Sequence, residues 1–121
     1  MAGATNPLVA TVIPILNEQN SISACLGSIV SQTISADQHI IVVLDGGSTD
    51  KTIQIIKQFI EENTEVPEII LAKNDGKYVA EARNLAMDLV PNSVKYFLEI
   101  IGHCTVKEDH IATLLGEMER L

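Results

Sequence analysis

Residues 40–50 read Ile-Ile-Val-Val-Leu-Asp-Gly-Gly-Ser-Thr-Asp, and the class of fold can be argued from them. Ile40 to Leu44 is an unbroken apolar run with no alternation between faces. Such a run makes a strand covered on both sides, as parallel sheets are. It stops at the turn residues Asp45-Gly46-Gly47, after which Ser48, Thr49 and Asp50 offer cap oxygens to a helix. The helix follows at once, with Ile53, Ile56, Phe59 and Ile60 on one stripe.

The same alternation extends in both directions. Upstream, Leu8 to Ile13 reads as a strand closed by Pro14. A helix then carries Ile22, Cys25, Leu26, Ile29 and Val30 inward, with Asn20 or Ser21 as its cap. Downstream, Glu68 to Ala72 is a third strand and Tyr78 to Leu89 a third helix, stopped by Pro91. Val79, Ala82, Leu85, Ala86 and Leu89 form its inward stripe. Tyr96 to Ile101 is a fourth strand, and Lys107 to Leu121 a last helix with Ile111, Leu114, Leu115 and Met118 inward. Strictly alternating strands and helices imply right-handed crossovers. The expected fold is α/β and Rossmann-like: an open, mostly parallel sheet of about four strands with helices on both faces.

Composition agrees with one domain over residues 1–121, since 121 residues leave no room for a second full core. With 46% apolar but only 3% aromatic residues, the core is aliphatic, as a doubly covered sheet requires. A net charge of −8 argues against nucleic-acid binding, which needs a positive stripe. An anionic ligand would therefore need a helix N-terminus, an arginine or a metal ion. Cys25 and Cys104 form no CxxC pair and are expected to stay reduced in a cytoplasmic setting. No apolar run approaches the roughly 20 residues of a membrane span, so membrane association is expected only through segments outside this chain.

Ligands of open parallel sheets bind beyond the carboxyl ends of the strands. Four loops qualify: Pro14–Glu18, Asp45–Asp50, Asn74–Lys77 and Gly102–Thr105. Asp45, directly after a buried strand, can accept hydrogen bonds from a base or ribose, and Gly46 and Gly47 allow close approach and positive φ. Ser48 to Asp50 also read simply as a helix cap. Ile15 and Leu16 could line a flat base pocket with Glu18 turned toward sugar or base; Asn17 and Glu18 could equally cap the first helix. Arg83 suits a diphosphate, with Lys77 adding charge at a helix start; a surface ion pair with Glu81 or Asp50 is the plainer alternative. His103, just past a strand end, is a candidate metal ligand with Cys104 as a second, or else structural.

In order along the chain, these phrases resemble family 2 (GT-A fold) glycosyltransferases. The resemblance rests on Pro14-Ile15-Leu16-Asn17-Glu18, Ser28-x-x-x-Gln32-Thr33, Asp45-Gly46-Gly47-Ser48-Thr49-Asp50 and Ala82-Arg83-Asn84. It implies a nucleotide-sugar-binding domain in which Asp45 contacts the base, Gly46 lies in the nucleotide-sugar site and Pro14 to Asn17 wall the base pocket. Arg83 would lie near the donor diphosphate, and a UDP- or GDP-type sugar would be transferred to an acceptor hydroxyl with inversion.

Two departures accompany the match. The family's Asp-x-Asp, which holds Mg²⁺ or Mn²⁺, is Ile101-Gly102-His103 here. This matches an Asp-x-His variant without its first carboxylate, so metal binding should be weakened and fall to His103. The acceptor half and its catalytic base are expected beyond these residues, which would leave the chain incomplete as an enzyme and prone to self-association through uncovered apolar surface. The competing reading is a degenerate, non-catalytic module used for assembly or protein contact. A dinucleotide oxidoreductase is disfavoured because no G-x-G-x-x-G follows a strand.

Overall fold

The apolar runs become four strands in a computed structural model that describes residues 6–63, 67–74 and 79–120, with only the backbone of 79–82. They are β1 (Val9–Ile15), β2 (His39–Asp45), β3 (Glu68–Lys73) and β4 (Tyr96–Glu99). Between and after them lie α1 (Ile22–Val30), α2 (Thr52–Glu62), α3 (Val79–Leu89) and α4 (His110–Glu119), with a short 3₁₀ turn, Ala36–Gln38, ahead of β2. All three ladders are parallel, as the alternation of elements requires, and the strand order is β3-β2-β1-β4.

Strand parity assigns each helix to a face. Ile13, Ile15, Ile41 and Val43 point to one side and pack with Ile22, Cys25, Leu26 and Ile29 of α1 and Ile56 of α2. Val9 and Leu98 extend that layer to Ile111 of α4. Val12, Val42 and Leu44 point the other way onto Ala86 of α3. β1 and β2 are thus buried on both faces, which is why their sequences are continuously apolar.

Several boundaries differ from the sequence reading, and the largest difference has one cause. The Val12 carbonyl faces β4 and accepts the Ile100 N–H at 3.0 Å. Two residues on, Pro14 faces the same side, and the next rung would need a Pro14 N–H donating to the Ile100 carbonyl. Proline has none. β4 therefore ends at Glu99 instead of Ile101, and the chain beyond is free to turn. On its other side β1 does not close at Ile13. It pairs with β2 through Ile15↔Asp45, and the Gly46 N–H donates to the Ile15 carbonyl at 2.9 Å. The last helix begins at His110, later than the Lys107 expected.

The start of α1 is also held differently from expectation, whereas α2 takes its oxygen from one of the expected residues. No side chain caps α1; the N–H groups of Ser21 and Ile22 donate to the Glu18 carbonyl, and Ser21 Oγ donates to the Gly102 carbonyl. At α2 the cap oxygen comes from Asp50, whose Oδ1 accepts both the Thr52 N–H and its hydroxyl. That hydroxyl holds the Asp50 carboxyl below the usual range.

Gln32, part of the Gln-Thr phrase, is buried between α1 and α4. It donates to the Ser28 and Lys107 carbonyls and accepts the Ile111 N–H at 2.8 Å. Its role in the structure is to tie the two helices together. Among the described residues no helix is long and apolar enough to cross a membrane.

Candidate functional site

The carboxyl ends of β2, β1 and β4 lie side by side, and the loops that leave them form the candidate site. Asp45 ends β2 and is only 8% exposed. Its carboxylate accepts the Gly47 N–H at 3.2 Å, the Ser48 N–H at 3.1 Å and the Ser48 hydroxyl. Gly47 sits at φ 109°, a backbone region that side chains rarely allow. Two carboxylate oxygens have about four acceptor positions, so these bonds orient Asp45 and leave acceptor capacity for a ligand.

The loop after β1 is stitched to the loop after β2. Asn17 adopts φ 53°, a left-handed conformation that asparagine tolerates better than most residues. Its Oδ1 accepts the Thr49 N–H at 2.8 Å and the Asp50 N–H at 3.3 Å, and its own N–H donates to Ser48 Oγ at 2.9 Å. The Glu18 N–H donates to Thr52 Oγ1 at 2.8 Å, and Gln19 exchanges bonds with Asp50 and Lys51. The expected capping role of Asn17 toward α1 is therefore replaced by a cross-loop one. Leu16, between the stitches, presents an apolar side chain that is 54% exposed.

Glu18 links this rim to the loop after β4. Its Oε2 lies 3.3 Å from Nδ1 of His103, so its carboxylate turns toward β4. Gly102 makes room for it: a Cβ there would come within 2.8 Å of both Glu18 Oε2 and Ile15 Cγ2. The loop is held from below, where Cys25 Sγ donates to the Ile101 carbonyl and the Cys104 N–H donates to the same carbonyl. Cys104 packs into the α1 layer, leaving His103 without the cysteine partner considered from sequence. Both cysteines are free thiols, and burial pushes Cys25 up to about 11.

Arg83 lies apart from this rim. It projects from α3 on the opposite face, where its Nε and Nη2 donate to Oε1 of Glu99 at 3.1 and 2.8 Å. Among the described residues its partner is thus a β4 carboxylate and not Asp50; the Glu81 side chain also considered from sequence lies outside the described residues. With the Arg83 side chain 62% exposed, the pair is a weak, solvent-screened one. Lys77 lies outside the described residues. The structure joins Ile15, Asn17, Glu18, Asp45 and Gly46 into one rim, adds His103 through Glu18, and leaves Arg83 on the other side of the sheet.

Four contributors were not singled out from sequence: Ser48 and Thr52 as cross-loop partners, Glu99 and Gly102. The parity of β4, with Phe97 and Glu99 on the α3 face, was the available signal for Glu99.

For a divalent cation the side chains present give half a site. His103 Nδ1 and Glu18 Oε2 are adjacent donors of suitable chemistry, whereas Ile101, 55% exposed, offers no ligand atom. Among the described residues no group of three His, Cys, Asp or Glu side chains gathers. The fit is to an ion that takes its remaining ligands from a bound anion and water.

The model of the family described as glycosyl transferase family 2 matches residues 10–121. The chain belongs to that family. Among its relatives is the glycosyltransferase AglE of Haloferax volcanii, 31% identical over 102 residues, which are 84% of this chain and 32% of AglE. Among solved structures, S. aureus TarS 1–349 in complex with UDP-GlcNAc superposes with a TM-score of 0.74 at 16% identity, over 93% of this chain and 31% of that one, and bears on the fold alone. The mannosyltransferase PcManGT of Pyrobaculum calidifontis, in complex with GDP-Man and Mn²⁺, gives a TM-score of 0.64 at 26% identity, over 75% of this chain and 27% of that one. This family 2 chain spans about a third of the length of these relatives. Its parallel α/β sheet is that of the GT-A fold they share.

Proposed function

We propose that these 121 residues act as one nucleotide-sugar-binding unit of an inverting glycosyltransferase. The observation that carries the reading is the rim itself: a nearly buried Asp45, its orientation set by three hydrogen-bond donors, beside a β1 loop locked in register with it. Pre-set acceptors on rigid strand ends suit recognition of a base edge. The relative complexed with GDP-Man supports a nucleoside-diphosphate sugar as the ligand class.

In this reading Asp45 and the Gly46 backbone take the base, and the Pro14–Leu16 end of β1 walls it, with exposed Leu16 as an apolar surface for a ring face. Asn17 keeps the wall in place. Glu18 lies toward the sugar and Lys77 attends the phosphates, while Arg83 stays with Glu99 on the other side of the sheet. His103 would contribute to a Mg²⁺ or Mn²⁺ ion, which when bound would neutralise charge on the departing diphosphate. A cytoplasmic setting would keep both thiols reduced.

Calorimetric titration with UDP and GDP, with and without Mn²⁺, tests this. Binding should appear in the micromolar to millimolar range, and Asp45→Ala should weaken it about tenfold, the loss expected for one ligand hydrogen bond to a charged group. No heat at millimolar nucleotide would refute the reading. Ile101, an apolar side chain where the family carries a carboxylate, favours a second reading, a non-catalytic module. Under that reading Ile101→Asp would bring no gain in metal-dependent nucleotide binding.

A further inference from the structure

The structure assigns Glu18 and His103 together as a two-donor divalent-cation site, in which Glu18 supplies the carboxylate missing at Ile101. The first support is spacing. Octahedral bonds of about 2.1 to 2.3 Å place neighbouring donors about 3.0 to 3.3 Å apart. Nδ1 of His103 and Oε2 of Glu18 stand 3.3 Å apart, the separation of two neighbouring donors on one ion.

The second support is fixation from both sides. Glu18 is anchored through its backbone, its N–H on Thr52 Oγ1 and its carbonyl taking the Ser21 and Ile22 N–H groups. The opposing loop is anchored by Ser21 Oγ on the Gly102 carbonyl and by the Ile101–Cys104 turn. Its seat over Glu18 exists only because position 102 lacks a Cβ. His103 is 61% exposed and Glu18 18%, so an ion seated between them keeps an open side for phosphate oxygens and water.

The third support is charge. The chain carries −8 overall, and Arg83 is already paired with Glu99. A nucleoside diphosphate bound at this rim would bring further negative charge, which a bridging cation offsets. One imidazole with one carboxylate favours Mn²⁺ over Mg²⁺, which prefers oxygen donors throughout. The assignment rests on the nucleotide-sugar reading for its purpose, though the ion site itself can be tested without nucleotide.

The experiment is titration of the chain into Mn²⁺ alone, following the loss of the free-ion electron paramagnetic resonance signal, then repetition with UDP and GDP. Glu18→Gln and His103→Ala should each weaken Mn²⁺ binding about tenfold, and the double variant hardly further than either single one. Ile101→Asp in the Glu18→Gln background should restore binding. His103 is exposed, so His103→Ala keeps the test open should Glu18→Gln disturb the loop. Binding within about twofold of wild type in Glu18→Gln, or no depletion of free Mn²⁺ by the wild-type chain, overturns the assignment. If Mn²⁺ binds as stated but neither nucleotide does, the ion site stands and the donor-binding reading falls; nucleotide binding indifferent to Mn²⁺ and to Glu18→Gln has the reverse meaning.

Discussion

His39 is expected to make this fold acid-sensitive in a defined window. It opens β2 with no exposed surface, its Nε2 lies 2.7 Å from Thr11 Oγ1, and its Nδ1 has no partner among the described residues. Burial disfavours the charged ring and lowers its pKa from 6.5 to about 4. Between these values the unfolded chain binds a proton that the folded chain refuses. The stability present above pH 6.5 is therefore lost progressively as pH falls toward 4. At 1.36 kcal/mol per pH unit the loss comes to roughly 3 kcal/mol, a large part of the 5–15 kcal/mol typical of a domain. Urea unfolding of wild type and His39→Gln at about pH 7, 5.5 and 4 isolates it, because glutamine can still bond Thr11 but cannot titrate. The stability difference between the two proteins should shift by roughly 3 kcal/mol across the series in favour of the variant. Parallel pH profiles would refute the reasoning.

Three further outcomes follow from particular contacts. Asn17→Ala should cost roughly 2 kcal/mol in urea unfolding, about half from the lost Oδ1 acceptor and half from placing alanine at positive φ. Asn17→Asp should recover much of this, because every side-chain bond Asn17 makes among the described residues is accepted at Oδ1; an Asp variant as weak as Ala would contradict the stitching role. Gln32→Leu strands the buried Ile111 N–H and two carbonyls and should cost roughly 2–3 kcal/mol, a thermal melt unchanged from wild type being the contrary result. Iodoacetamide at mildly alkaline pH should label Cys104 in the native protein and reach Cys25 only after unfolding, since burial holds the Cys25 thiol protonated; equal native labelling rates would be inconsistent with that.

How much of this was legible in the sequence depends on the range of the interaction. Continuous runs such as Ile40–Leu44 announce doubly covered strands because burial on both faces acts on each residue locally. The residue types of the rim were equally visible, since Asp45, Gly47 and Asn17 are chosen by turn chemistry within a few positions. Pro14 shows where local reading fails. Read locally it closes its own strand, whereas its missing N–H ends the neighbouring one, about 85 residues away in sequence, because only the β1–β4 ladder gives that N–H a duty. Glu18 with His103 and Arg83 with Glu99 are hidden for the same reason: each pair meets only because β4 lies beside β1. Four similarly apolar runs carry no mark of that order. The rim's shape follows from local motifs, but its charge pattern follows from strand order, which brings Glu18 beside His103 and turns Arg83 away from both. A relative with the same phrases and a carboxylate at position 101 would have no such need of Glu18, so the demand on that residue is set by what stands at the end of β4.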